Sequence, residues 1–197
     1  SAGRTVDVEP VLSGEERALS YLLPPQTRAL YTRLRNSEQA TMLGEQAAVS
    51  IGYVTGNNAF FHLSQEEATA WGIPPRFLRP VVRRAEELRG LVHAEEDLAA
   101  PAQPRYLLEL RVGLADLPEG VRAYLAEGER QGIPEAYKCR VRDPWYAVPG
   151  VSTPDLFLTY MAHTSPRLVL NQTSAVAPNS LLVGVKKLRS TSLRYLP

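Results

Sequence analysis

A chain of 197 residues, 44% of them apolar and with a net charge of +1, has the composition of an ordinary globular protein with material for one domain, or two small ones, and a sizeable core. A single cysteine, Cys139, excludes an internal disulfide, and with three scattered histidines it excludes a Cys/His zinc site of known spacing. Because no apolar run approaches the ~18 residues of a membrane span and "SAGRTVDVEP" has no apolar leader core, a cytoplasmic location without membrane contact is expected.

In chain order, "SGEERALSYLLPPQTRALYTRLRN" predicts two short helices, with Ser13 as a cap and Pro24-Pro25 breaking between them. Next, "AAVSIGYVTGNNAFFHLS" reads as a hairpin, its strands near residues 48–55 and 59–63 and its tip in "TGNN". "SQEE" at 64–67 is a capping box that opens a helix ended by Gly72. The segment "PRFLRPVVRRAEELRG" suits helix or irregular strand and is read as mixed. Glu95, Glu96 and Asp97 fit the first turn of a helix better than a cation site. "RYLLELRV" is a strand, and "LPEGVRAYLAEGERQG" a helix with Pro118 at its start and Gly132 at its end. Strands are then expected at 137–142, 145–148, 156–161, 167–170 and 181–188, separated by turn-forming residues. The fold class is α+β: N-terminal short helices, a β-hairpin and a mostly antiparallel C-terminal sheet.

Charge is unevenly spread. Residues 1–70 carry five cations against eight carboxylates and 91–127 three against seven, whereas 71–90 carry five against two and 128–197 nine against four. Cations clustered in this way are what a nucleic-acid face requires, since phosphates are neutralised by adjacent Lys and Arg; a solvated surface gives the same count.

Catalytic machinery is not legible. "VTGNNAFF" has one glycine and opens into a second strand, where a phosphate loop needs a strand leading into a helix. There is no Gly-x-Ser-x-Gly elbow, and nothing in the sequence joins His62, His93 or His163 to a nucleophile.

Four segments in order, "GEQAAVSIGYVTGNNAFFHLSQEEATAWGIP", "LRPVVRRAEELRG", "YKCRVRDPWYAVP" and "PRLVLNQTSAVAPNSLLVGV", resemble the C-terminal target-recognition region of adenine-specific (N6) DNA methyltransferases of bacterial restriction–modification systems. The resemblance covers residues 44–185. It implies a helical N-terminal segment at 1–43 and a recognition domain at 44–197 that reads a double-stranded DNA sequence for a catalytic methyltransferase domain dependent on S-adenosylmethionine. The cofactor loop and the Asn/Asp-Pro-Pro-aromatic tetrapeptide of that catalytic half are not in the chain: Pro24-Pro25 and Pro74-Pro75 lack the preceding amide or acid and the following aromatic residue. The chain itself is therefore expected to hold no cofactor and not to methylate DNA alone.

A methyltransferase that takes adenine out of the stack needs another surface to grip and check the duplex. On a strand at 137–142, Lys138, Arg140 and Arg142 would share one face and could meet phosphates or a guanine edge, or else pair with Asp143 or Asp155. Of Trp145 and Tyr146, one ring would pack inward and the other be free for a nucleotide, unless both are core; Tyr137 is expected in the core. Asn57 and Asn58 at a hairpin tip suit either the turn or a base edge. Asn171 suits a turn or DNA, and Asn179 lies in a polar loop with Thr173, Ser174 and Ser180. Of Lys186 and Lys187 at most one can touch a given DNA surface. A second reading is a protein-interaction module that docks a catalytic or restriction subunit through its "FF" and "WY" pairs.

Overall fold

The computed structural model describes residues 7–14, 16–99, 105–160 and 165–187. The chain divides into two compact units, Ser1–Gln46 and Ala47–Pro197.

The first unit holds α1 (Glu9–Leu12), a 3-10 turn at Ala18–Leu22, α2 (Pro25–Arg35) and α3 (Leu43–Gln46). Pro24-Pro25 breaks the chain as expected, with Pro25 in the first turn of α2, where a missing N–H is harmless. Ser13, however, does not open a helix: its N–H bonds to the Glu9 carbonyl and its hydroxyl donates to the Pro10 carbonyl, so it closes α1. Leu12, Leu19 and Leu22 stay exposed.

The second unit contains β1 (Ala47–Ile51), α4 (Asn58–Phe61), β2 (His62–Ser64), α5 (Gln65–Ala70), β3 (Leu78–Pro80), β4 (Val92–His93), α6 (Glu95–Ala99) and β5 (Arg105–Leu108). After these come α7 (Glu119–Arg130), α8 (Tyr137–Arg140), β6 (Leu156–Thr159), β7 (Arg167–Asn171) and β8 (Leu182–Lys186). Five strands form a sheet in the order β1-β8-β6-β7-β4, antiparallel except for the β4–β7 pair, and three form a smaller antiparallel sheet, β2-β5-β3. The α+β class with a mostly antiparallel sheet is thus present.

The strands on either side of "TGNN" do not pair with each other. β1 runs against β8, with Ala47 opposite Lys186, and β2 against β5, with His62 opposite Leu107. Asn57, placed at a hairpin tip by its turn preference, instead accepts a hydrogen bond from the Phe60 N–H and caps α4. This turn buries Phe60 and Phe61 in a core shared with Leu63, Leu107, Leu108, Val121, Tyr124 and Leu125.

The remaining elements follow local signals. Ser64 and Glu67 form the expected capping box: the Ser64 hydroxyl accepts from the Glu67 N–H at 3.1 Å while the Glu67 carboxylate accepts from the Ser64 N–H at 2.6 Å. Ser64→Ala should lower stability by about 1 kcal/mol, read as a lower urea midpoint with an unchanged slope. The segment at 75–90 is mixed, as read: a 3-10 turn at Pro75–Phe77, β3, and a second 3-10 turn at Ala85–Glu87. Helix α6 begins with the acidic triplet, and Asp97 accepts from the Ala94 N–H. Helix α7 buries Val121, Tyr124, Leu125 and Gly128, the i, i+3, i+4, i+7 stripe of an amphipathic helix, and the chain leaves it through Gly132 at φ 72°.

Two expected strands are absent. Residues 137–140 form α8, because the Cys139 and Arg140 N–H groups return to the Ala136 carbonyl and Cys139 turns into the core; residues 145–148 are turn and irregular chain. Alternating cations mimic strand parity, but of the two apolar positions between them Cys139 is buried and Val141 exposed, and burial of Cys139 decides the local backbone. Strand β6 realises the element expected at 156–161 and β8 that at 181–188; Met161 and Leu188 lie outside the described residues.

The buried run Ala175, Val176 and Ala177 passes between two other segments. Val176 bridges Val81, and the Val82 N–H bonds to the Val176 carbonyl. On its other side Pro178 bridges Tyr53, the Tyr53 N–H bonds to the Ala177 carbonyl and the Asn179 N–H returns to the Tyr53 carbonyl. Residues 52–58, 80–84 and 176–180 are thereby held together.

Candidate nucleic-acid interface

That three-segment junction carries an open concavity of about 500 Å³, lined by Asn58, His62, Arg83, Arg84, Arg105 and Ser180 among others. The side chains arrive from five separate segments. Asn58 begins α4, and its Oδ1 accepts from the Thr55 hydroxyl at 2.6 Å. Strand β2 supplies His62 and β5 supplies Arg105; Arg83 and Arg84 follow the Val81 bridge, and the Ser180 hydroxyl donates to the Arg83 carbonyl.

Two of the three guanidiniums are partly compensated. Arg105 pairs with Glu67 at 2.6 Å and Arg83 lies 3.5 Å from Glu87, while Arg84 is exposed and makes no ion pair among the described residues. Only one carboxylate, that of Glu67, lines the concavity with them, so its surface is net positive. Three guanidiniums on an open concave wall suit phosphate oxygens, which their planar donor forks can bind in pairs.

The residues singled out in the sequence are placed unevenly around this site. Asn58 lines it, and exposed Asn179 sits between two of its lining residues, Pro178 and Ser180. Lys138 reaches the same turn from α8: a Cβ on Gly56, whose φ is +89°, would lie 2.8 Å from the Lys138 Cβ. Arg140 is exposed on α8, but helical geometry removes the common strand face on which it was to join Lys138 and Arg142. Arg142 turns inward and donates to the Val54 and Thr55 carbonyls, pinning the chain before α4.

Others serve the fold. Asn171 donates to the Pro154 and Ala175 carbonyls and accepts from both the N–H and the hydroxyl of Thr173, so its amide is committed to the turn. Tyr146 is buried and Trp145 packs against the same core, tilted on Phe60 at 5.7 Å. Tyr137, expected in the core, is 65% exposed with the Lys138 ammonium over its ring. Lys186 and Lys187 are exposed at the end of β8. Arg83, Arg84 and Arg105 were not singled out from the sequence, although the cation excess at 71–90 was the signal for the first two.

Residues 15–195 match the family described as the Type II methyltransferase M.Eco57I, C-terminal domain. The chain belongs to this family.

As a methyltransferase C-terminal domain of the restriction–modification kind, it carries its clearest charge feature in the concavity rather than in α8. Among the described residues no helix is long and apolar enough to cross a membrane, and no cluster of His, Cys, Asp and Glu could hold a metal ion. Cys139 is buried and desolvation raises its thiol pKa, which leaves it a packing residue. His62 of this C-terminal domain lies 2.8 Å from the Tyr53 hydroxyl through Nε2. Burial first, then the Arg83 and Arg105 charges, push its pKa from 6.5 down to about 4.

A histidine held neutral in the fold but free to protonate when unfolded draws the equilibrium towards the unfolded chain as pH falls below 6.5. Its contribution is complete above that pH and is lost down to pH 4. By pH 5 the loss attributable to His62 should reach about 2 kcal/mol, at about 1.4 kcal/mol per pH unit. Urea midpoints of the parent and His62→Gln at pH 7 and 5 check this: the variant should lose less stability over the interval, and equal losses would place the acid sensitivity elsewhere.

Proposed function

We propose that the domain recognises a double-stranded DNA sequence on behalf of an S-adenosylmethionine-dependent N6-adenine methyltransferase, with methyl transfer carried out by a separate catalytic domain. The observation that carries this reading is the concavity where Arg83, Arg84 and Arg105 converge and Glu67 is the one carboxylate in the lining. A basic hollow edged by amide and hydroxyl groups suits a phosphodiester chain, with Asn58 and Asn179 near enough to the rim to meet sugar or base edges. Residues 44–197 form the recognition domain in this reading, and DNA as ligand implies the bacterial cytoplasm.

Binding to a pool of randomised duplexes at low and moderate salt, with sequencing of the retained fraction, tests the proposal. A short enriched motif containing adenine, with affinity falling as salt rises, is the expected result. No retention even at low salt would refute it.

A role in docking a catalytic or restriction subunit is favoured by one observation, the exposed Leu12, Leu19 and Leu22 of the first unit. The aromatic pairs that first suggested docking are not available for it, since Phe60, Phe61 and Tyr146 are buried. Contact through those leucines would be insensitive to salt, which separates it from phosphate binding.

A further inference from the structure

The turn at residues 57–59 borders two hollows. Asn58 and Ala59 line the cationic concavity; Asn57 and the same Ala59 line a groove of about 250 Å³ together with Phe60, Trp71, Tyr124, Glu127 and Gln131. Phe60 and Tyr124 are buried rings stacked at 4.6 Å, and half-buried Trp71 meets Tyr124 edge to face at 5.3 Å, so apolar aromatic surface underlies this groove.

The polar groups of the groove are of a different kind from those of the concavity. The Gln131 Nε2 donates to Glu127 Oε1 at 2.7 Å, which leaves the Gln131 carbonyl oxygen to accept, and Glu127 Oε2 pairs with Arg130. Asn57 commits its Oδ1 to the Phe60 N–H, while its Nδ2 has no protein partner among the described residues. A carboxylate repels phosphate, yet with the Gln131 carbonyl it can accept from an exocyclic amino group, and the Asn57 amide can donate to a ring nitrogen or carbonyl. Anion-binding and base-binding chemistry thus lie side by side across one turn.

We propose that the groove takes a single unstacked nucleobase bearing an exocyclic amino group, while the phosphate of that nucleotide lies against Arg83, Arg84 and Arg105. The inference rests on the DNA-binding reading above and extends it: the domain holds one nucleotide outside the stack on its own surface, with Trp71 as the contact for the ring.

The test is fluorescence anisotropy of the 197-residue chain with a fully paired duplex and with the same duplex holding one unpaired adenine. The bulged duplex should bind about tenfold tighter, in keeping with stacking of one base on an aromatic side chain. An abasic site in the same bulge, which keeps the bend and lacks the base, should lose that advantage, and an unpaired thymine should retain only part of it. Trp71→Ala should abolish the preference without weakening binding to the paired duplex. Because Trp71 also packs on Tyr124, exposed Gln131→Ala serves as a second variant and should narrow the gap between adenine and thymine.

Equal affinity of the parent for bulged and paired duplexes, or a preference that survives both substitutions, would overturn this inference alone. Failure to bind either duplex would overturn the proposed function and this inference with it.

Discussion

Replacing Arg83, Arg84 and Arg105 together by alanine is expected to weaken duplex binding by about sixtyfold or more near 0.1 M salt. Each phosphate neutralised contributes about 0.9 to the slope of log affinity against log salt. At 0.1 M each such contact is worth a factor of about eight, so two or three contacts together reach about sixty to five hundred. The slope itself should flatten by about 2 to 3, a signature that loss of a neutral contact would not give. Stability should change little by comparison: Arg83 and Arg84 are at the surface, and the Arg105–Glu67 pair is partly solvated, where such pairs are worth at most about 1 kcal/mol. Anisotropy titrations from low to moderate salt, with circular dichroism to confirm folding, read both quantities. An unchanged slope would remove the concavity from the DNA-binding surface.

The second large effect is structural. Gly52→Ala should cost at least about 3 kcal/mol, at or beyond the upper end of overpacking penalties, and should weaken DNA binding even where the protein remains folded. A Cβ on Gly52 would lie 2.1 Å from the Ala177 carbonyl oxygen and 2.4 Å from that of Pro178. Both obstacles are backbone, so no side chain can rotate away. The same crossing is fixed by the Gly52 N–H to the Leu181 carbonyl, the Tyr53 N–H to the Ala177 carbonyl and the Asn179 N–H to the Tyr53 carbonyl. Opening it would displace Pro178 and Ser180, which line the concavity, so stability and affinity should fall together. Urea denaturation measures the first; a midpoint equal to the parent's would mean that the crossing separates without cost.

Several features decided within a few neighbouring residues were legible in the chain. The Ser64/Glu67 capping box, the Pro24-Pro25 break, the acidic first turn of α6 and the span of α7 from Pro118 to Gly132 all came out as read. Each depends on contacts three or four residues apart, so composition and spacing carry the information. The β-rich character of residues 156–186 was equally plain from apolar runs between turn residues.

Strand partners and the site were not legible, for one shared reason. "TGNN" satisfies the preferences of a hairpin tip, yet β1 pairs with β8 more than 130 residues away and β2 with β5, because burial of Phe60 and Phe61 turns the intervening chain into a capped helical turn. "YKCRVR" alternates like a strand and is helical, since burying Cys139 outweighs the alternation of its neighbours. Periodicity reports which face could be apolar; it does not report what lies opposite.

The sequence alone therefore determined the α+β class, the family resemblance and the excess of cations at 71–90, because these are properties of composition and order. Which cations converge was decided only by the tertiary structure. The buried run at 175–177, passing between Gly52-Tyr53 and Val81-Val82, brings Arg83 and Arg84 beside Arg105 and Asn58, while the Val54 and Thr55 carbonyls take Arg142 for a task inside the fold. Such convergence rests on backbone pairing between segments as far apart as Tyr53 and Pro178, whose energy depends on the whole core and has no local signature.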